Sequence, residues 1–443
     1  MDLPFLPPFW QELVAGMAFF LHQRHAGRLA VLLLGALFAN GRRTVTSWLR
    51  AAHVGRGFAA YYYFLAALGR QTDFLAGLLL RSAWGWLAPD GPLLFAIDDS
   101  PTQRYGPHVQ GAGLHHNPTP GPTDQKFLYG HVWVSLAWIV LHPLWGTVGL
   151  PLLARLYVRR KDVPRLPPRC RWSFQTKLEQ AADLVGWAAR WLRNTGKTVR
   201  VVVDGFYAKR PFLTAAAAAR VAVVSRLRRD AGLRTLPVPP RQGRRRGRPP
   251  LYGPGRISLA KRAGHKRGWQ EASARQYGEV RIKRIKTFLA TWPPAGGCIR
   301  VVLVREKHDW LALFSTEPLM TAEEILSLAA DRFSIEQDFH DLKEVEGLGQ
   351  QQVRNIWANV GAFHVSAWVH TLVELWAWGQ PKETLCDRSA SPWDDPERRP
   401  SHADRRKALQ RQCLGREFQR LTEGQALTPE IQQFVGRVIN HAA

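Results

Sequence analysis

Three acids in this chain stand where phosphate chemistry could be built on them. The segment Asp331-Arg-Phe-Ser-Ile-Glu-Gln-Asp-Phe-His-Asp-Leu-Lys343 sets Arg332, Glu336 and Lys343 at offsets of four and seven residues. A 3.6-residue period stacks them on one stripe of a helix, a carboxylate between two cations. Far upstream, Asp98 and Asp99 end the apolar run Leu93-Leu-Phe-Ala-Ile97, and Asp204 ends Val199-Arg-Val-Val-Val203. Strand-end Asp, strand-end Asp and helical Glu suit two-metal phosphoryl transfer. There, paired divalent ions about 3.5–4 Å apart neutralise the attacking and leaving oxygens. Hard oxygen donors without a His/Cys cluster favour two Mg²⁺, with Mn²⁺ able to substitute.

Neighbouring residues of a strand point to opposite faces, so only one of Asp98 and Asp99 can enter such a site. Asp99 is the expected ligand, with Asp98 turned away. Asp204-Gly205 fits a strand ending at a crowded site, although Asp after a strand is also an ordinary turn former. Phe333, Ile335, Phe339 and Leu342 show that the helix packs, which places Glu336 near a core edge. The basic run carrying Arg244, Arg245, Arg246 and Arg248 reads as a DNA-binding linker. Its Arg-Gly-Arg fits a narrow minor groove, and a solvated linker is the plain alternative. His115 and His116 are adjacent and lack a thiolate, which argues against zinc. No Walker-type phosphate loop is present, so no nucleotide cofactor is expected.

The totals agree with a nucleic-acid partner. Lys and Arg number 61 against 35 Asp and Glu, a formal charge of +26 over 443 residues. That excess points to a polyanion. With 46% hydrophobic residues and 18 Trp, the chain must nevertheless fold around a large core. Four scattered cysteines imply neither a disulfide framework nor a metal knuckle, and fit a reduced, cytoplasmic protein. The apolar stretch 132–158 is interrupted by His142-Pro143-Leu-Trp-Gly146, which favours two buried strands and a turn over a membrane helix.

Periodicity divides the chain into five parts. Residues 1–90 read as a helical DNA-binding or packing domain, with helices over 9–23, 28–39, 44–52 and 59–81 and Thr44 as an N-cap. Residues 91–234 give strands, an amphipathic helix over 177–194 and a strand ending at Asp204, the first part of an α/β, RNase H-like core. Residues 235–316 are a basic linker and a β-rich insertion. Residues 317–380 return to the core with one helix over 322–346 and a second over 355–378. Residues 381–443 read as a polar, peripheral tail.

The residues resemble the DDE transposases of bacterial insertion sequences, in the cut-and-paste group with a Tyr-x2-Arg-x3-Glu-x6-Lys signature. Arg332, Glu336 and Lys343 match its spacing, while Ala329 stands at the tyrosine position. Ile97-Asp98-Asp99-Ser100 and Val202-Val203-Asp204-Gly205 look like its first two acidic motifs, and Arg246-Gly247-Arg248-Pro249-x2-Tyr252-Gly253 is familiar from relatives. The resemblance implies that Asp99, Asp204 and Glu336 hold the two metals and that Arg332 and Lys343 grip terminal phosphates. It further implies a homodimer that cleaves and transfers strands of double-stranded DNA. A nuclease without strand transfer, or a DNA-binding protein derived from a transposase, are the competing readings.

Overall fold

A computed structural model describes residues 6–117, 126–238, 249–386, 388, 393–395, 397–423 and 428–442. Five helices come first: α1 (Pro8–Phe19), α2 (Gln23–Phe38), α3 (Val45–Ala51), α4 (Phe58–Gly69) and α5 (Thr72–Leu87). Strands β1 (Leu93–Gln103), β2 (Gly113–His116), β3 (Phe127–His142) and β4 (Gly146–Tyr157) follow. Next come α6 (Lys177–Leu192), β5 (Val199–Val203), α7 (Arg210–Ala218), β6 (Ala222–Leu227), β7 (Leu233–Arg234), β8 (Arg256–Ile257) and α8 (Leu259–Gly264). The chain continues through β9 (Gln270–Gln276), β10 (Glu279–Trp292), β11 (Gly297–Arg305) and β12 (Trp310–Ser315). It ends in α9 (Ala322–Asp331), α10 (Phe333–Glu344), α11 (Ile356–Ala377), α12 (Lys382–Leu385), α13 (His402–Leu421) and α14 (Pro429–Ala442).

The centre is the α/β arrangement expected of an RNase H-like core. Strand β1 lies between antiparallel β3 and parallel β5, β4 pairs antiparallel with β3, and β6 runs parallel to β5. The interrupted apolar stretch is the β3–β4 hairpin, and among the described residues no helix is long and apolar enough to cross a membrane. The strands expected as an insertion lie on the same sheet: β12 pairs with β6, and β11 and β10 follow outward. Hairpin β9–β10 continues past them toward α10, where Tyr277 meets Phe333 edge-on at 5.7 Å.

Both faces of β1 are apolar, and each has its own core. Leu93, Phe95 and Ile97 pack with Val201, Val203 and the α6 residues Leu184 and Trp187. Leu94 and Ala96 pack on the other face with Val202, Val224, Ile325, Leu326, Ile335 and Phe339, which brings α9 and α10 against it. Parallel pairing of Ile97 with Val203 makes Asp98 and Asp204 the next residues of two adjacent strands.

Three expectations need correction. The helix read over 59–81 is two helices, α4 and α5, meeting at Arg70 and Gln71, where Gly69 is pressed against α11. A Cβ on Gly69 would lie 2.0 Å from the Trp357 carbonyl oxygen. The helix read over 322–346 is also two, since its hydrogen bonding breaks at Arg332. There the Ile335 amide bonds the Arg332 carbonyl across three residues, a tighter turn than the α-helical four. The segment after residue 381 is no peripheral tail: His402, Arg405, Arg406, Leu409 and Cys413 of α13 are buried. Helix α11 is buried along nearly its whole length, apolar on all sides because α2, α4, α13 and the sheet surround it. Thr44 does cap α3, its hydroxyl accepting the Ser47 amide at 3.0 Å.

Candidate active site

Strand alternation decides which acid of the pair faces the helix. Asp98 follows Ala96 onto the α9–α10 face, and its Oδ2 accepts a hydrogen bond from the Arg332 guanidinium at 2.7 Å. The other end of that guanidinium donates to Glu336 at 2.5 Å, an i,i+4 pair within the helical run. Asp204 adds to the field that raises the pKa of Arg332, which its carboxylate neighbours lift above the ordinary value against the effect of burial. Asp98 and Glu336 thus share one cation, and Asp204 is near enough to act on the charge of both Asp98 and Arg332.

Asp99, the residue expected as the metal ligand, faces other partners than Arg332. Its side chain sits on the α6 face, where Lys177 donates to it at 2.5 Å and the buried Tyr207 hydroxyl at 2.7 Å. Burial, then the Asp99 charge, holds the Tyr207 phenol well above its usual pKa, so it stays protonated and donates. Because Tyr207 lies three residues beyond Asp204, this bond fastens the turn after β5 to the middle of β1. Asp204 Oδ2 accepts the Phe206 amide at 3.1 Å, which orients the carboxylate within that turn.

Burial raises Asp98 to about 7, although Arg332 and the Asp99 amide pull it down. A carboxylate held this far from water gains from a closer cation, which favours a metal ligand. Glu336 is the more open member, its side chain 43% exposed. Lys343 is half-buried with no hydrogen-bonded partner among the described residues, and burial lowers its pKa. Of the remaining expected DNA contacts, Arg244, Arg245, Arg246 and Arg248 lie outside the described residues.

The donor set fits divalent ions: three carboxylates supply hard oxygens, and a guanidinium stands among them as a surrogate cation. Their oxygens do not lie within 4.8 Å of one another. Among the described residues one His/Cys/Asp/Glu group does, His370, Glu374 and His402.

The buried His/Glu/His group is a second constellation, one that sequence reasoning missed. His402 Nδ1 lies 2.7 Å from Glu374 and its Nε2 3.0 Å from Glu346. Burial opposes a charge on His402, but the two carboxylates overcome it and raise the pKa to about 9. Arg405 bonds Glu374, and Arg406 reaches Glu346 at 3.4 Å and the Ala36 carbonyl at 2.9 Å. These bonds seat α13 against α11, the end of α10 and the end of α2. Both ring nitrogens of His402 are engaged by carboxylates, so the group works as an ionic clamp. In the sequence its partners are scattered over more than fifty residues, which leaves no local motif to read.

A family model for DDE superfamily endonucleases matches residues 17–287. The match takes in Asp98, Asp99 and Asp204 and stops short of Glu336, whose place beside them rests on geometry. No curated protein matches the chain. Enzymes of this family normally use divalent metals, and DNA is their substrate. The matched span covers well over half of the 443 residues, and the chain belongs to the DDE superfamily endonucleases.

Proposed function

We propose that this protein is a DNA transposase whose active site is formed by Asp98, Asp204 and Glu336. The observation that carries the reading is the Arg332 bridge between Asp98 and Glu336, with Asp204 following directly on the strand paired with that of Asp98. Two divalent ions, Mg²⁺ by preference, would supply charge neutralisation at the attacking and leaving oxygens when bound. Asp98 would hold them from the middle of β1, Asp204 from the end of the adjacent β5, and Glu336 from the helix across the face. Asp99 is a positioning residue, tying β1 to the turn after β5 through Tyr207. Arg332 and Lys343 bind the DNA backbone, and the basic residues 244–248 extend that grip. The helical residues 1–90 and the basic linker serve as DNA-binding parts around the core. Strand transfer requires two element ends in one assembly, which a homodimer provides. Insertion-sequence origin and a place on the nucleoid follow from the same reading.

Purified full-length protein with Mg²⁺ and DNA bearing the inverted repeats that flank the coding region tests this. Nicking at the repeat ends and joining of the freed 3′-OH to target DNA are the expected products. Glu336→Gln should lower cleavage by at least about a thousandfold, as loss of a central catalytic group does, while DNA binding persists. Cleavage without joining would establish a nuclease instead, and binding without cleavage a DNA-binding protein.

A further inference from the structure

Arg332 occupies the position a metal would have to take over. Its guanidinium is a rigid fork whose two ends reach different carboxylates, Asp98 at 2.7 Å and Glu336 at 2.5 Å. The oxygens it engages belong to the residues that would ligate a divalent ion, and Asp204 lies within its field. A divalent ion entering that group would meet a positive charge already bonded to two of its carboxylates.

The position is built for release. Arg332 stands at the hydrogen-bonding break between α9 and α10, and its side chain is 24% exposed, so one edge of the fork faces solvent. On one side of the break Asp331 is tied to Arg275 at 3.2 Å, and on the other Phe333 packs on Tyr277. The β9–β10 hairpin thereby holds the backbone on both sides while the side chain remains able to turn. Two oxygens of a phosphate can accept both ends of the guanidinium fork, as the two oxygens of a carboxylate can.

Resting on the active-site reading above, we infer that Arg332 is an internal counter-cation that keeps the carboxylates assembled and metal-poor in the free protein, and that a DNA phosphate draws it off so that metal can bind. Metal affinity is then coupled to DNA engagement, and the unengaged protein does not act as a wandering nuclease. The coupling is reciprocal: whatever weakens the Arg332 bridge tightens metal binding without DNA.

Mn²⁺ binding to the full chain without DNA, followed by electron paramagnetic resonance of the free ion, tests this. Arg332→Gln should bind Mn²⁺ at least tenfold more tightly than the unmodified protein. Arg332→Lys, which keeps the charge but reaches only one carboxylate, should fall between them and serves if the glutamine variant does not fold. Asp98→Asn, alone and combined with Arg332→Gln, separates the two levels of the account. If Asp98→Asn leaves Mn²⁺ binding unchanged in both backgrounds, the active-site reading fails. If it abolishes binding but neither Arg332 variant tightens it, the counter-cation role is overturned and the site stands.

Discussion

The Tyr207 hydroxyl donates to Asp99 at 2.7 Å, joining the middle of β1 to the turn that carries Asp204. Hydrogen bonds to a charged partner contribute about 1.5–3 kcal/mol. Tyr207→Phe should therefore lower the thermal midpoint measurably without removing any proposed metal ligand. In a cleavage assay it should raise the Mg²⁺ concentration needed for half-maximal rate, since Asp204 is less firmly placed relative to Asp98. An unchanged midpoint and metal requirement would show that the bond positions nothing.

The His402 clamp gives a pH signature. Its pKa is raised from the ordinary 6.5 to about 9, so the folded state binds the proton more tightly than the unfolded chain does. The stability this supplies is complete below pH 6.5 and is lost as pH rises through about 9. His402→Gln leaves Glu346 and Glu374 without their shared cation and should destabilise by about 3–5 kcal/mol at pH 6, as breaking a buried pair does. Thermal midpoints measured from pH 6 to pH 9.5 should show the gap between wild type and variant closing. A constant gap would mean that His402 does not carry the charge.

How much of this could be read from the sequence depended on whether a signal was local. The run Leu93–Ile97 and the run Val199–Val203 announced buried strands, and the Arg/Glu spacing at 332 and 336 announced an i,i+4 pair. The choice between Asp98 and Asp99 was not legible, because a strand apolar at every position carries no alternation to set its phase. The face appears only when α9 and α10 are seen against Leu94 and Ala96. Strands 279–315 looked like an insertion because pairing of β12 with β6 spans a long intervening segment. His402, Arg405 and Arg406 looked solvated because the carboxylates that make their burial tolerable lie on α11 and just beyond α10.

Helices α4 and α11 cross with backbone against backbone. A Cβ on Gly361 would stand 2.2 Å from the Leu65 carbonyl oxygen, an atom fixed within α4. Gly361→Ala must push the helices apart, and overpacking of this kind costs about 1–3 kcal/mol. The expected result is a lower thermal midpoint, with Gly415→Ala, where nothing lies within 4 Å, as the neutral comparison.

Lys343 is half-buried two turns along α10 from Glu336, and its side chain has no hydrogen-bonded partner among the described residues. As a phosphate contact it should contribute one released counterion, so Lys343→Ala should reduce the slope of log affinity against log salt by about 0.9. Filter binding or fluorescence anisotropy at several salt concentrations measures that slope. An unaltered slope would remove Lys343 from the DNA interface.

The most direct test of the account compares two adjacent residues in one assay. Asp98→Asn and Asp99→Asn are prepared as full-length proteins, checked for DNA binding, and given Mg²⁺ and element-end DNA. Asp98→Asn should fall to background cleavage while Asp99→Asn retains activity with a lowered thermal midpoint. Background cleavage by Asp99→Asn, with Asp98→Asn still active, would contradict the assignment of the active site to the face of the sheet that carries Arg332 and Glu336.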